Sequence, residues 1–279
     1  MHGRSSIRSK LQELEHRPSK QRGQNFVVNP RVLEAIIEFG APKQGERLVE
    51  VGPGLGALTE KLLTFGPLTA IEIEQSFCDE LRSKFPELEV ILHDVRTFDF
   101  ASLGRDLVVF GNLPYIYSTD IIFHLLSSRA SLKRAVLLLQ REFAERLAAG
   151  PGGREYGRIS VACQVYCDLR LGPVISGEAF FPRPKVESRL IEIVFLPQPR
   201  HEVEDHKWLE RVVKASFAKR RKKLVNSLKA SGLFSGEHAA KALEASAIDP
   251  GRRAETLRLE EFVRLAKELA RFSKPAGNT

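Results

Sequence analysis

The chain is poor in cysteine: among 279 residues only Cys78, Cys163 and Cys167 occur, none of them in a C-x-x-C pair. That excludes a disulfide framework, and with no histidine group beside them it supplies no zinc ligand set. The three read as small buried side chains, and no metal is expected. Long apolar runs are also lacking. No stretch approaches the roughly 18 uninterrupted apolar residues of a membrane span. The start, Met-His-Gly-Arg-Ser-Ser-Ile-Arg, is polar and basic and lacks the apolar core of a secretory leader. A cytoplasmic protein with no membrane partner is expected. The seven histidines are scattered and carry no assigned chemistry, and no internal repeat or low-complexity segment appears.

What is present is an ordinary globular composition, 43% hydrophobic and 28% charged, with a net charge of +8. That balance suits a polyanionic partner, and its distribution says more than its sum. The first 22 residues carry six Lys or Arg against two Glu and read as a mobile basic arm. A second cluster, Lys219-Arg220-Arg221-Lys222-Lys223, reads as one face of an ordered helix whose apolar side is Phe217, Leu224 and Leu228.

Short apolar runs alternate with helical patterns from residue 29 onward. Asn29 caps a helix that Pro30 opens and Gly40 ends. Strands are expected at 47–51, 68–73, 89–92, 107–110 and 134–140, with helices at 57–65, 75–85, 119–126 and 142–149 and a late strand at 190–196. This alternation predicts an α/β fold: a mostly parallel, Rossmann-like sheet flanked by helices. Past Pro197-Gln-Pro-Arg200 the pattern is purely helical. The expected domains are a basic arm at 1–22, a catalytic α/β domain at 23–199 and a small all-α domain at 200–279.

Ligands of such sheets bind beyond the carboxyl ends of the strands. There the first strand runs into Glu50-Val51-Gly52-Pro53-Gly54-Leu55-Gly56, a glycine turn that lets backbone approach a ligand. Glu72 ends the second strand, placed to accept from ribose hydroxyls, and Asp94 follows the third, placed to receive an adenine amine. This much fits one nucleoside and leaves a nicotinamide oxidoreductase open. The fourth strand ends in Asn112-Leu113-Pro114-Tyr115. An Asn oxygen and a backbone carbonyl can accept both hydrogens of an aromatic amine, aiming its lone pair at a methyl donor, while Tyr115 stacks on the ring. A sulfonium methyl needs no activated general base, so S-adenosylmethionine is the expected cofactor. Phe180, before the stiff Pro182-Arg-Pro-Lys-Val186, is a candidate second ring for the base.

These motifs, with Gln24-Asn25-Phe26, the run Val49 to Thr59, Tyr156-Gly157-Arg158, F-x-P-x-P-K-V-x-S from Phe180 to Ser188 and F-x-x-R-R-K-K-L from Phe217 to Leu224, together resemble the ribosomal RNA adenine dimethyltransferase family. The resemblance spans about Lys20 to Phe272. It implies a class I methyltransferase fold, with Asn25, Val27, Gly52, Glu72, Asp94 and Asn112 at the cofactor. It implies Asn112 to Tyr115 and Phe180 at the target adenine, and Lys219 to Lys223 on RNA. The similarity is greatest to the branch acting on two adjacent adenines in a hairpin loop near the 3′ end of 16S rRNA, so the expected partner is that RNA in an immature small ribosomal subunit, met by a monomer. Arg253-Ala-Glu-Thr-Leu257 favours this branch over the resistance branch acting on 23S RNA. A non-catalytic RNA-binding assembly or transcription factor on this fold is a further alternative. Two positions depart from the family pattern: Val27 stands where Leu is usual, and Ile116-Tyr117-Ser118 replaces Asn-Ile-Ser.

Overall fold

A computed structural model of the chain describes residues 3–15, 24–219 and 221–272. In chain order the elements are α1 (Arg4–Glu13), β1 (Phe26–Val27), α2 (Pro30–Gly40), β2 (Arg47–Val51), α3 (Thr59–Leu62), β3 (Leu68–Glu72), α4 (Gln75–Lys84), β4 (Glu89–Leu92), β5 (Leu107–Asn112), α5 (Ser118–Ser127), β6 (Leu132–Gln140), α6 (Arg141–Ala148), α7 (Arg158–Tyr166), β7 (Cys167–Ile175), β8 (Phe180–Phe181), β9 (Ser188–Phe195), α8 (His206–Ser216), α9 (Leu224–Ala230), α10 (Gly236–Ala245) and α11 (Leu259–Phe272).

Seven strands form one sheet in the order β4-β3-β2-β5-β6-β9-β7. The pairs β4/β3, β3/β2, β2/β5 and β5/β6 are parallel, and β9 joins β6 antiparallel. The fold is thus a Rossmann-like sheet. Central strands with helices on both faces must be apolar throughout, and Leu107, Val108, Val109 and Phe110 of β5 are each at most 1% exposed. From β2 the chain winds outward through β3 and β4, then returns to the other side of β2 as β5. That reversal opens a crevice beyond the ends of β2 and β5. Register places Val51 beside Gly111, so the glycine turn and Asn112 leave the sheet as neighbours. Gly111 is required there: a Cβ would sit 2.9 Å from the Val51 carbonyl oxygen.

The predicted cap of α2 is present, with the Asn29 side chain accepting from the Arg31 N–H at 3.0 Å. Its end at Gly40 also matches, with Ala41 after it in the left-handed conformation (φ 39°). More of the first 22 residues is ordered than expected. Residues 4–13 form α1, and Ile7 and Leu11, one helical turn apart, are buried with Val28 and Phe77. Lys10 pairs with Glu80 at 2.8 Å. The remainder of the expected arm, residues 1–2 and 16–22, lies outside the described residues.

The chain divides into two compact units, 1–144 with 168–195 and 145–167 with 196–279. The boundary expected at 199/200 therefore misses one excursion. Residues 145–167 join the helical unit because Tyr156, Val161 and Val165 bury against Leu209, Val212 and Phe262. The basic run also lies elsewhere than expected. Lys219, Arg221, Lys222 and Lys223 form the exposed turn between α8 and α9 rather than a helix face, and Arg220 lies outside the described residues. No described helix is long and apolar enough to cross a membrane.

Candidate active site

A cleft of about 500 Å³ lies at the carboxyl ends of β2 to β5. Asn25, Val27, Gly52, Glu72, Asp94 and Asn112, the six residues expected at a cofactor, all line it, together with Pro114. The topology gathers them from five separate stretches of chain.

Glu72 ends β3 almost wholly buried, and its carboxylate shapes the turns on either side. It accepts from the Gly54 N–H at 3.1 Å and from the Ile73 and Glu74 N–H groups at 2.8 and 3.0 Å. Gly54 makes this possible by taking a left-handed φ of 56°. Beside it Gly52, also left-handed at 67°, has no atom within 4 Å of where a Cβ would stand. The strand-end carboxylate and this open glycine backbone fit the sugar and tail of a nucleoside.

Asp94 caps the turn after β4 and is clamped by Arg96. The Arg96 guanidinium donates to both carboxylate oxygens at 2.6–3.0 Å and its backbone N–H adds 2.9 Å. The Arg96 hydrogen bonds hold the Asp94 carboxyl below its usual range against partial burial.

Asn112 donates from Nδ2 to the Asn25 carbonyl oxygen at 2.7 Å. A carbonyl can only accept, so this contact fixes the amide's orientation and leaves Oδ1 to accept from a ligand. Leu113 is 2% exposed and anchors the tetrapeptide, its N–H bonded to the Leu138 carbonyl at 3.2 Å. The Pro114 carbonyl is engaged by the Tyr117 N–H at 3.1 Å and the Ser118 hydroxyl at 3.2 Å. Tyr115 is half-buried, its hydroxyl 2.6 Å from the Ser188 Oγ at the start of β9. Burial raises the Tyr115 phenol and the Ser188 contact partly offsets it, so the ring is neutral at physiological pH.

Phe180 is not where the expectation needs it. It pairs with Val27 in the small β1/β8 sheet and is 0% exposed in the main core, so neither face of its ring is open to a base. Phe181, its half-buried neighbour, pairs with Phe26 and packs against the cluster of Ile7, Leu11, Val28 and Phe77. Two prolines in the following loop do not reveal which of two adjacent aromatics turns inward.

Two contributors fall outside the sequence motifs, and a third lies within one without an expected role. Ile7 of α1 lines the cleft, although its stripe of apolar residues is too short to read as a helix. Arg96 lines it too and belongs to no motif. Glu50 belongs to the glycine-turn motif, which assigns it no role. It is 2% exposed beside the cleft and accepts from the Thr59 hydroxyl at 2.5 Å. Burial, augmented by the Glu72 charge, pushes its carboxyl up to about 8.

The profile of the ribosomal RNA adenine dimethylase family matches residues 15–271. The "Ribosomal RNA small subunit methyltransferase A" of Syntrophotalea carbinolica is 43% identical over 258 residues, covering 91% of this chain and 97% of that protein. The protein of the same name from Pseudomonas aeruginosa is 43% identical, covering 92% and 96%. Among solved structures, a dimethyladenosine transferase from Plasmodium falciparum superposes with a TM-score of 0.74 at 25% identity, covering 88% of this chain and 98% of that one. The 23S rRNA methyltransferase ErmE shares the fold, with a TM-score of 0.66 at 23% identity over 88% and 99% of the two chains. With a profile spanning nearly its whole length and relatives matched almost end to end, this chain belongs to the ribosomal RNA adenine dimethylase family.

Proposed function

We propose that this enzyme methylates the exocyclic N6 amines of two adjacent adenines near the 3′ end of 16S rRNA, within an immature small ribosomal subunit in the cytoplasm, using S-adenosylmethionine and acting as a monomer. The observation that carries the chemistry is the Asn112 to Asn25 hydrogen bond, which orients Oδ1 as an acceptor at the strand end. The relatives named for the small subunit carry the substrate assignment. The large-subunit alternative has only a shared fold behind it. An oxidoreductase and a non-catalytic RNA-binding factor do not account for Asn112 and Tyr115 within a dimethylase family.

When bound, S-adenosylmethionine supplies an electrophilic methyl on its sulfonium. Glu72 accepts from the ribose hydroxyls, Gly52 lets backbone close on the tail, and Asp94 receives the base amine. Asn112 Oδ1 and the Leu113 carbonyl accept the two hydrogens of the target amine. The Leu113 carbonyl is assigned because that of Pro114 is already engaged. Both acceptors draw the nitrogen toward a pyramidal geometry and free its lone pair. The amine sheds its proton after transfer, so no shifted base is required. Tyr115 stacks on the adenine, worth about 1–3 kcal/mol. With Phe180 in the core, stacking rests on Tyr115. A target within a hairpin loop is already unpaired or cheap to extrude. The exposed Lys219, Arg221, Lys222 and Lys223, with Arg220, grip phosphates.

The test is a labelled-methyl assay on small-subunit particles lacking the modification. Transfer to both adenines is expected, and transfer to large-subunit RNA instead, or to neither, overturns the assignment. Asn112→Ala is expected to lose transfer while keeping particle binding, and full activity in it would refute the role of Oδ1.

A further inference from the structure

Arg96 joins two subsites that the reaction treats as separate. On one side its guanidinium holds Asp94, with Nε 3.0 Å from each carboxylate oxygen and Nη2 2.6 Å from Oδ2. An Asp and an Arg two residues apart make an ordinary turn. The unusual feature is the other face of the same guanidinium, whose carbon lies 4.2 Å from the centre of the Tyr117 ring. Tyr117 closes the 3₁₀ turn that Tyr115 opens. Asp94, Arg96 and Tyr117 all line the cleft. Arg96 therefore bridges the acceptor expected for the cofactor's base and the turn that carries the target-stacking tyrosine.

Three Arg96 N–H groups converge on the Asp94 carboxylate, the backbone N–H, Nε shared between the two oxygens, and Nη2, which offers about four lone-pair directions in all. A further donor at Asp94 competes with these three for the same two oxygens. The guanidinium is a rigid plane, so yielding a hydrogen bond on one edge tilts it as a whole. Its stacking on Tyr117 then changes as well.

We propose that Arg96 is a positioning residue that couples occupancy of the nucleoside pocket at Asp94 to the Tyr115–Tyr117 turn. The proposal rests on the reading that Asp94 receives the base of the cofactor. Arg96 is shared between Asp94 and Tyr117. Binding of the nucleoside moves Arg96 and resets the turn beside the target adenine. Coupling of this kind is reciprocal, so a change at Tyr117, which does not touch the nucleoside's acceptor, alters affinity for the nucleoside. Tyr117 restrains Arg96 against Asp94, so removing the ring favours binding.

The experiment is calorimetric titration of the full chain with S-adenosylhomocysteine, comparing wild type, Tyr117→Leu, Tyr117→Phe, Arg96→Gln and the double variant Arg96→Gln with Tyr117→Leu. Tyr117→Leu is expected to bind about two- to five-fold tighter, the range set by a partly exposed cation–π contact. Tyr117→Phe keeps a ring for the guanidinium and is expected to match wild type. In the Arg96→Gln background, Tyr117→Leu is expected to change nothing further. Additive effects of the two substitutions, or equal behaviour of Tyr117→Phe and Tyr117→Leu, would overturn the coupling. A fifth variant, Asp94→Asn, separates it from the reading beneath: wild-type affinity there would overturn the placement of the base at Asp94.

Discussion

Glu50 gives the structure a measurable pH signature. Its carboxyl is buried in β2, held up to about 8 by burial and the Glu72 charge and only partly relieved by the Thr59 hydroxyl. In the unfolded chain it titrates near 4.5. Between those values the native state keeps a proton that the unfolded state has lost. Stability from this group is therefore complete below about pH 4.5 and falls as pH rises toward 8, by up to roughly 1.4 kcal/mol per pH unit. Across pH 5.5 to 7.5 that amounts to about 2–3 kcal/mol. Glu50→Gln keeps the shape and the acceptor for Thr59 but carries no charge at any pH. The variant is expected to lose this slope and to be more stable than wild type near pH 8. Glu46, held down to about 2 against its burial by Lys133, the Lys43 backbone and Arg134, works in the opposite sense, and its stability is lost only as pH falls from about 4.5 toward 2. The assay is urea unfolding without cofactor at several pH values, followed by far-UV circular dichroism. The one tryptophan, Trp208, lies in the other unit, bonded through its indole N–H to the Ala266 carbonyl, so its fluorescence is an internal control. A wild-type slope that survives in Glu50→Gln would refute the argument that Glu50 is neutral in the fold.

Leu11→Ala removes a side chain that is 2% exposed and docks α1. Large-to-small changes at such sites cost about 2–5 kcal/mol, more than a short terminal helix can bear. Faster hydrogen exchange over residues 4–13 with unchanged β5 amides is expected, together with weaker S-adenosylhomocysteine binding as Ile7 leaves the cleft. Unchanged exchange in α1 would show that the helix is held otherwise. Lys222→Glu with Lys223→Glu should weaken RNA binding and lower its salt dependence by about 0.7–0.9 in log–log slope for each phosphate no longer neutralised. Equal slopes in wild type and variant would return that turn to a merely solvated role.

The sequence by itself determined the fold class and much of the cleft's lining. Alternating apolar runs dictate a parallel sheet, and a parallel sheet puts its ligands at strand ends. Glu72, Asp94 and Asn112 could therefore be placed from their positions just past apolar segments. Tertiary structure alone decided three things. Which strands are neighbours is set by the winding reversal at β2 and β5, and only that brings Asn112 beside the glycine turn. Which of two adjacent phenylalanines is core depends on the β1/β8 pairing, two residues long and silent in any periodicity. Whether α1 folds depends on a groove built by Val28 and Phe77, because Ile7 and Leu11 are buried only when that partner exists. Local patterns report what a residue prefers against water, and these three choices were made between residues far apart in the chain, where packing rather than preference decides.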